Sequence, residues 1–123
     1  MKFVLKIIAF WAFAASVSYG QKTGNDLLNQ CRKMVVALET TQAQSPKDAY
    51  DSGVCIGFIE GVRGTLDYYG VSKLPAQACI RETVTNRQLM NLIVNYLNLN
   101  PQDLDKPAIE LAIEPLRRAY PCK

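Results

Sequence analysis

The chain has 123 residues, 49% of them hydrophobic, with 14 basic and 11 acidic residues, four cysteines and no histidine. The charges are scattered along the chain, which excludes the basic stripe of a nucleic-acid binder. The missing histidine removes the usual metal ligand and the usual general base together.

Residues 1–20 read as a secretory signal peptide. Lys2 and Lys6 mark a charged start, the run IIAFWAFAASV follows, and Ser18 and Gly20 stand at the −3 and −1 positions of a cut before Gln21. The apolar run has 11 residues, too few to serve as a membrane anchor. The expected mature product is a single all-α domain over residues 21–123, exported to the periplasm. Lys2 and Lys6 leave with the signal and all acids stay, so 12 basic residues face 11 acidic ones and the mature charge is near +1.

The first helix is expected over residues 24–40, where Leu27, Leu28, Cys31, Met34, Val35 and Leu38 recur at three-and-four spacing. After TTQAQSP, Ser45 is a good N-cap with Pro46 at the first helical position. The second helix, over residues 46–69, carries Cys55, Phe58, Ile59, Val62, Leu66 and Tyr69 on one face. Gly53, Gly57, Gly61 and Gly64 gather on the opposite face, although each glycine costs a helix about 1 kcal/mol relative to alanine. Close approach by another helix of the same domain is the expected reason, with a subunit or partner contact as the alternative.

The loop YGVSKLPAQA leads to Cys79. Thr85 and Gln88 form a capping box, with Val84 and Leu89 placed as its hydrophobic staple. The third helix runs to residue 99 and is expected to bury Leu89, Leu92, Ile93, Tyr96 and Leu97. Asn100 and Pro101 break it, giving a single turn in PQDLD. A fourth helix begins near Lys106 with the stripe Ile109, Ala112, Ile113, Leu116 and Tyr120, and Pro115 is expected to kink it. The fold class is therefore an all-α bundle of four main helices in two disulfide-stapled hairpins.

The pairing of the cysteines follows from hairpin geometry, because antiparallel helices bring together residues equidistant from their loop. Cys31 and Cys55 each lie 12 residues from position 43, while Cys79 and Cys122 lie 22 and 21 residues from position 101. Cys31–Cys55 and Cys79–Cys122 are the expected bridges. The C-x-x-C spacing of a zinc site is absent, and no metal or cofactor is implied. Asp103 with Asp105, and Glu110 with Glu114, are the remaining carboxylate pairs. The first suits a helix start and the second a solvated face, so no catalytic role is assigned and the chain is not expected to be an enzyme.

GNDLLNQC, CIGFIEGVRGT, CIRETVTNRQLMNLIVNYLNLNPQDL and RRAYPC together resemble the Rap/Tai family of type VI secretion immunity proteins over residues 24–122. The shared set is the four cysteines, the C-x-G-aromatic-I-x-G block, the V-T-x-x-Q-L capping box, Y-L before a proline and a terminal aromatic-Pro-Cys. Arg81, where many relatives have proline, and Pro115 depart from the pattern. The resemblance implies a periplasmic helical protein, often a homodimer, that binds a cognate peptidoglycan amidase toxin and obstructs its cleft. Two other functions compete with it: a small acid-stress-type periplasmic chaperone, and an inhibitor of another cell-wall hydrolase. The segment from Tyr68 to Gln77 carries tyrosines and an apolar Leu74-Pro75 tip, side-chain types favoured at interface cores. Tyr68, Lys73 and Leu74 are the expected toxin-binding residues.

Overall fold

Helix α1 (Gly24–Glu39) starts at a capping box. The Thr23 hydroxyl accepts from the Asp26 N–H at 3.4 Å, and the Asp26 carboxylate accepts from the Thr23 N–H at 2.9 Å. Aspartate replaces the usual Glu or Gln of this motif, so the sequence pattern did not reveal it. The computed structural model describes residues 20–71 and 78–123, with residues 69–71 described by their backbone alone. The signal-peptide expectation, apart from Gly20, lies outside these residues, as do Lys73, Leu74 and the Tyr69 side chain.

The start of α1 is tied to the start of the last helix, α4 (Ala108–Ala119). Gly24 and Asn25 donate to the carbonyls of Lys106 and Leu104, both at 3.0 Å, and Ala108 donates back to Lys22 at 2.8 Å. A Cβ on Gly24 would run into the Leu111 side chain and stand 3.0 Å from the Leu104 carbonyl oxygen. Glycine is required there because two chain segments meet backbone to backbone.

Helix α2 (Pro46–Val71) opens as expected, with the Ser45 hydroxyl accepting from the Asp48 N–H at 3.1 Å. It packs chiefly on α1. The Cys31–Cys55 disulfide joins the two, and both cysteines are fully buried. Gln44 closes the loop between them by donating to the Lys33 carbonyl (3.2 Å) and to the hydroxyl of buried Ser52 (3.0 Å). The tip of this hairpin, residues 38–47, is exposed throughout. Leu38, expected in the buried stripe, is therefore 40% exposed.

Helix α3 (Asn86–Leu99) begins at the Thr85–Gln88 capping box, both of whose hydrogen bonds form. It buries Leu89, Ile93 and Leu97 as expected, and also Met90 and Val94. Its buried face is broad because it packs against α1, α2 and α4. A single 3-10 turn, Pro101–Asp103, then reverses the chain. In α4 Ala112 and Leu116 are buried as expected, while Ala108, Leu111 and Pro115 fill the rest of the buried stripe in place of Ile109, Ile113 and Tyr120. Ile109 is 42% exposed. Ala108, whose N–H donates to the Lys22 carbonyl, lies buried at the start of that stripe. Pro115 lies buried in the middle of the helix, which continues through it to Ala119.

Cys79 and Cys122 form the second disulfide, so both bridges follow the hairpin pairing and no described cysteine is free. Among the described residues the architecture is all-α, a small bundle stapled twice. The glycine face of α2 departs from expectation. Among the described residues nothing within 4 Å would meet a Cβ at Gly53, Gly57, Gly61 or Gly64, so no described helix covers that face.

Candidate partner-binding surface

Arg63 fastens the C-terminal half of α2 to the chain that follows Cys79. Arg63, at three-quarters burial or more in its side chain (20% exposed), reaches across to the start of α3. Its guanidinium donates to the Val84 carbonyl, to the Asn86 side-chain oxygen at 3.2 Å and to the Arg81 carbonyl at 3.4 Å. Asp67, one turn along α2, lies 3.7 Å from Nε and completes an ion pair. Sequence reasoning missed this residue. No pattern signals a long side chain that bonds carbonyls 18 and 21 positions away.

The far side of the same region is held by Cys79. Its N–H donates to the Tyr120 carbonyl at 2.8 Å, beside the disulfide to Cys122. Between the two anchors lies an open depression of about 450 Å³ lined by Arg63, Leu66, Asp67, Ala78, Ile80 and Arg81. Tyr68 follows Asp67 on α2, does not line the depression, and is 68% exposed. Lys73 and Leu74 are outside the described residues, so Tyr68 alone of the expected toxin-binding set can be placed. Arg81, one of the departures from the family pattern, is exposed on the rim and contributes its carbonyl to the Arg63 clamp.

Removing the clamp has a measurable cost. Hydrogen bonds to a charged donor contribute about 1.5–3 kcal/mol each when buried, and these are partly exposed. Arg63→Ala is expected to lower stability by about 2 kcal/mol and to raise amide exchange at residues 81–86 above that of α1. Equal protection of that segment in the variant would show that the clamp does not hold it.

Among the described residues no cluster of carboxylates or cysteines could hold a metal ion. No described helix is long and apolar enough to cross a membrane. Glu110 is exposed, while Glu114 is paired with Arg117 at 2.6 Å and Arg118 at 2.7 Å. The pair expected to form a solvated face therefore includes one acid engaged in ion pairs. Asp103 pairs with Lys106 at 3.0 Å, and Asp105 accepts from Asn25 at 3.2 Å.

Comparison with known proteins is consistent with a surface built for binding. No curated protein and no solved structure matches the chain. Residues 23–122 match the family described as Rap1a immunity proteins, a span that takes in the four described helices and both disulfides. The family points to an inhibitor that binds a cognate toxin protein rather than to an enzyme, and the two disulfides fit an exported chain. By that match, the chain belongs to the Rap1a immunity protein family.

Proposed function

We propose that this protein is a periplasmic immunity protein that binds a peptidoglycan amidase toxin delivered by type VI secretion and blocks its active-site cleft. The family match across residues 23–122 carries this reading. In it, residues 1–20 are removed on export, residues 21–123 form the working domain, and two copies associate as a homodimer. Tyr68, Lys73 and Leu74 supply the group that enters the cleft, since loops on rigid helices commonly do so. The test is protection. Bacteria that export a candidate amidase to the periplasm are expected to lyse without this protein and to survive with it. Lysis in both cases, across the amidases encoded near the gene, would reject the reading.

Acid behaviour separates immunity from acid chaperoning. Three carboxylates are held below their ordinary range. Hydrogen bonds from the Thr23 backbone and hydroxyl do this for Asp26, those from Lys33 and Ser45 for Asp48, and those from Arg118 and Arg117 for Glu114. A carboxylate with a depressed pKa in the fold contributes stability that is present above its unfolded pKa. That contribution is lost as pH falls through the folded value. With no histidine in the chain, stability should be nearly flat from pH 7 to about 5 and fall only below about pH 4. Urea midpoints at pH 7, 5 and 3 check this. A loss of structure already complete at pH 5, with suppression of client aggregation, would favour the chaperone.

A further inference from the structure

The two disulfides stand in opposite surroundings. Cys31 and Cys55 are fully buried and belong to the hydrophobic core. Cys79 and Cys122 are exposed. Cys79 also lines two open depressions. One is the depression of about 450 Å³ beside the Arg63 clamp. The other, of about 490 Å³, runs along Ala119, Tyr120 and Pro121, with Arg81 and Lys123 among its lining residues.

A disulfide is cleaved when a thiolate reaches one of its sulfurs, so the rate depends on access and on how readily the other sulfur leaves. Core packing denies that approach to Cys31–Cys55 while the helices stay folded. At Cys79 a depression opens on either side. No acidic side chain is among the described residues that line the second depression. The acids of the first are Asp67, which is paired with Arg63, and Glu82. Neighbouring cations favour a thiolate and lower the pKa of the thiol that leaves.

Opening the exposed bridge leaves the core intact, because neither of its cysteines belongs to it and Cys31–Cys55 still joins α1 to α2. It changes the surface instead. The bridge ties the end of α4 to the segment before α3 across 43 residues of sequence. Without it that segment is held by non-covalent contacts, among them the Cys79 hydrogen bond to the Tyr120 carbonyl and the Arg63 clamp.

We propose that Cys79–Cys122 is a site of reversible thiol–disulfide exchange in the folded protein, open to a protein dithiol of the C-x-x-C class that cannot reach Cys31–Cys55. A thiolate of the dithiol attacks the Cys79 sulfur, the S–S bond breaks, and Cys122 leaves as a thiolate that takes up a proton. The second thiol of the partner, deprotonated, then displaces Cys79 from the mixed disulfide, and Cys79 takes up a proton in turn. The two electrons come from the dithiol, which becomes a disulfide while this chain gains two thiols. Reoxidation follows the same path in reverse. The reduced form keeps its helices and loosens residues 79–86 and 120–123. Residues 79–82 line the first depression, so the redox state of this bridge sets the order of the candidate partner-binding surface.

The test needs no toxin. Oxidised mature protein is incubated at neutral pH with excess reduced thioredoxin as the dithiol, and free thiols are trapped with a maleimide at intervals and located by peptide mapping. Label is expected on Cys79 and Cys122 at least about tenfold sooner than on Cys31 and Cys55, with the helical signal unchanged. Amide exchange in the half-reduced protein is expected to rise at least about tenfold at residues 79–86 and 120–123 and to stay constant in α1. Label reaching all four cysteines at one rate would show that reduction requires global unfolding. No label at all would show that the bridge is closed to a dithiol, and unchanged exchange would show that it does not order the surface; each overturns the proposal. The Cys79→Ser/Cys122→Ser variant is expected to keep the wild-type helical signal and to resist labelling at Cys31 and Cys55. Loss of helix in that variant would overturn the proposal as well. Failure of the immunity reading leaves these outcomes unaffected, and the protection assay is equally independent of them.

Discussion

Replacing Cys31 and Cys55 together by alanine is expected to cost more than replacing Cys79 and Cys122 together by serine. Loop length alone argues the reverse. The first bridge spans 24 residues and the second 43, which in the chain-entropy model corresponds to about 3.4 and 4 kcal/mol. Burial reverses the order. Cys31 and Cys55 are fully buried between α1 and α2, so their loss also leaves a void in the core, which adds about 1–2 kcal/mol. Cys79 and Cys122 are exposed, and serine there leaves no void. Urea unfolding of the two double variants measures the difference. Because domains of this size are stable by about 5–15 kcal/mol, loss of both bridges should leave little or no folded protein. Reduction in dithiothreitol at 37 °C, followed by circular dichroism, checks that outcome.

Toxin affinity should fall at least about 100-fold, equivalent to roughly 2.7 kcal/mol, when Tyr68, Lys73 and Leu74 are all replaced by alanine. A few anchors, tyrosine prominent among them, carry most of the energy of an interface. Calorimetric titration with the toxin against which the protein protects measures the loss, with an unchanged helical signal as the control. Since Tyr68 lies on α2 and Lys73 and Leu74 follow that helix, the double variant Lys73→Ala/Leu74→Ala tests the following segment alone. It should lose toxin affinity and keep its mass in solution. Undiminished affinity in the folded triple variant would remove these three residues from the toxin interface.

The glycine face was legible only in part. The repeat of Gly53, Gly57, Gly61 and Gly64 marked a face on which the cost of glycine in a helix asks for a reason. Of the two reasons weighed, a helix of the same domain and a partner contact, the first is not met by any described helix. Periodicity states that a face is special. It does not state which body lies against it.

What the sequence determined by itself was local or symmetric. The Ser45 cap, the Thr85–Gln88 box and the break at Asn100-Pro101 depend on residues within a turn of one another, so their chemistry is complete in a short segment. The two disulfides depend only on hairpin symmetry about two loops, and the four cysteines paired accordingly. Tertiary structure decided the rest. Leu38 and Ile109 have the right spacing for the core and stand exposed, because the α1–α2 tip is uncovered and α4 buries Ala108 and Leu111 where Ile109 was expected. Gly24 and Arg63 take their roles from segments at least 80 and about 20 residues away. Such contacts arise only when the helices have packed, since a chain pattern encodes which face is apolar but not where a distant backbone carbonyl will come to rest.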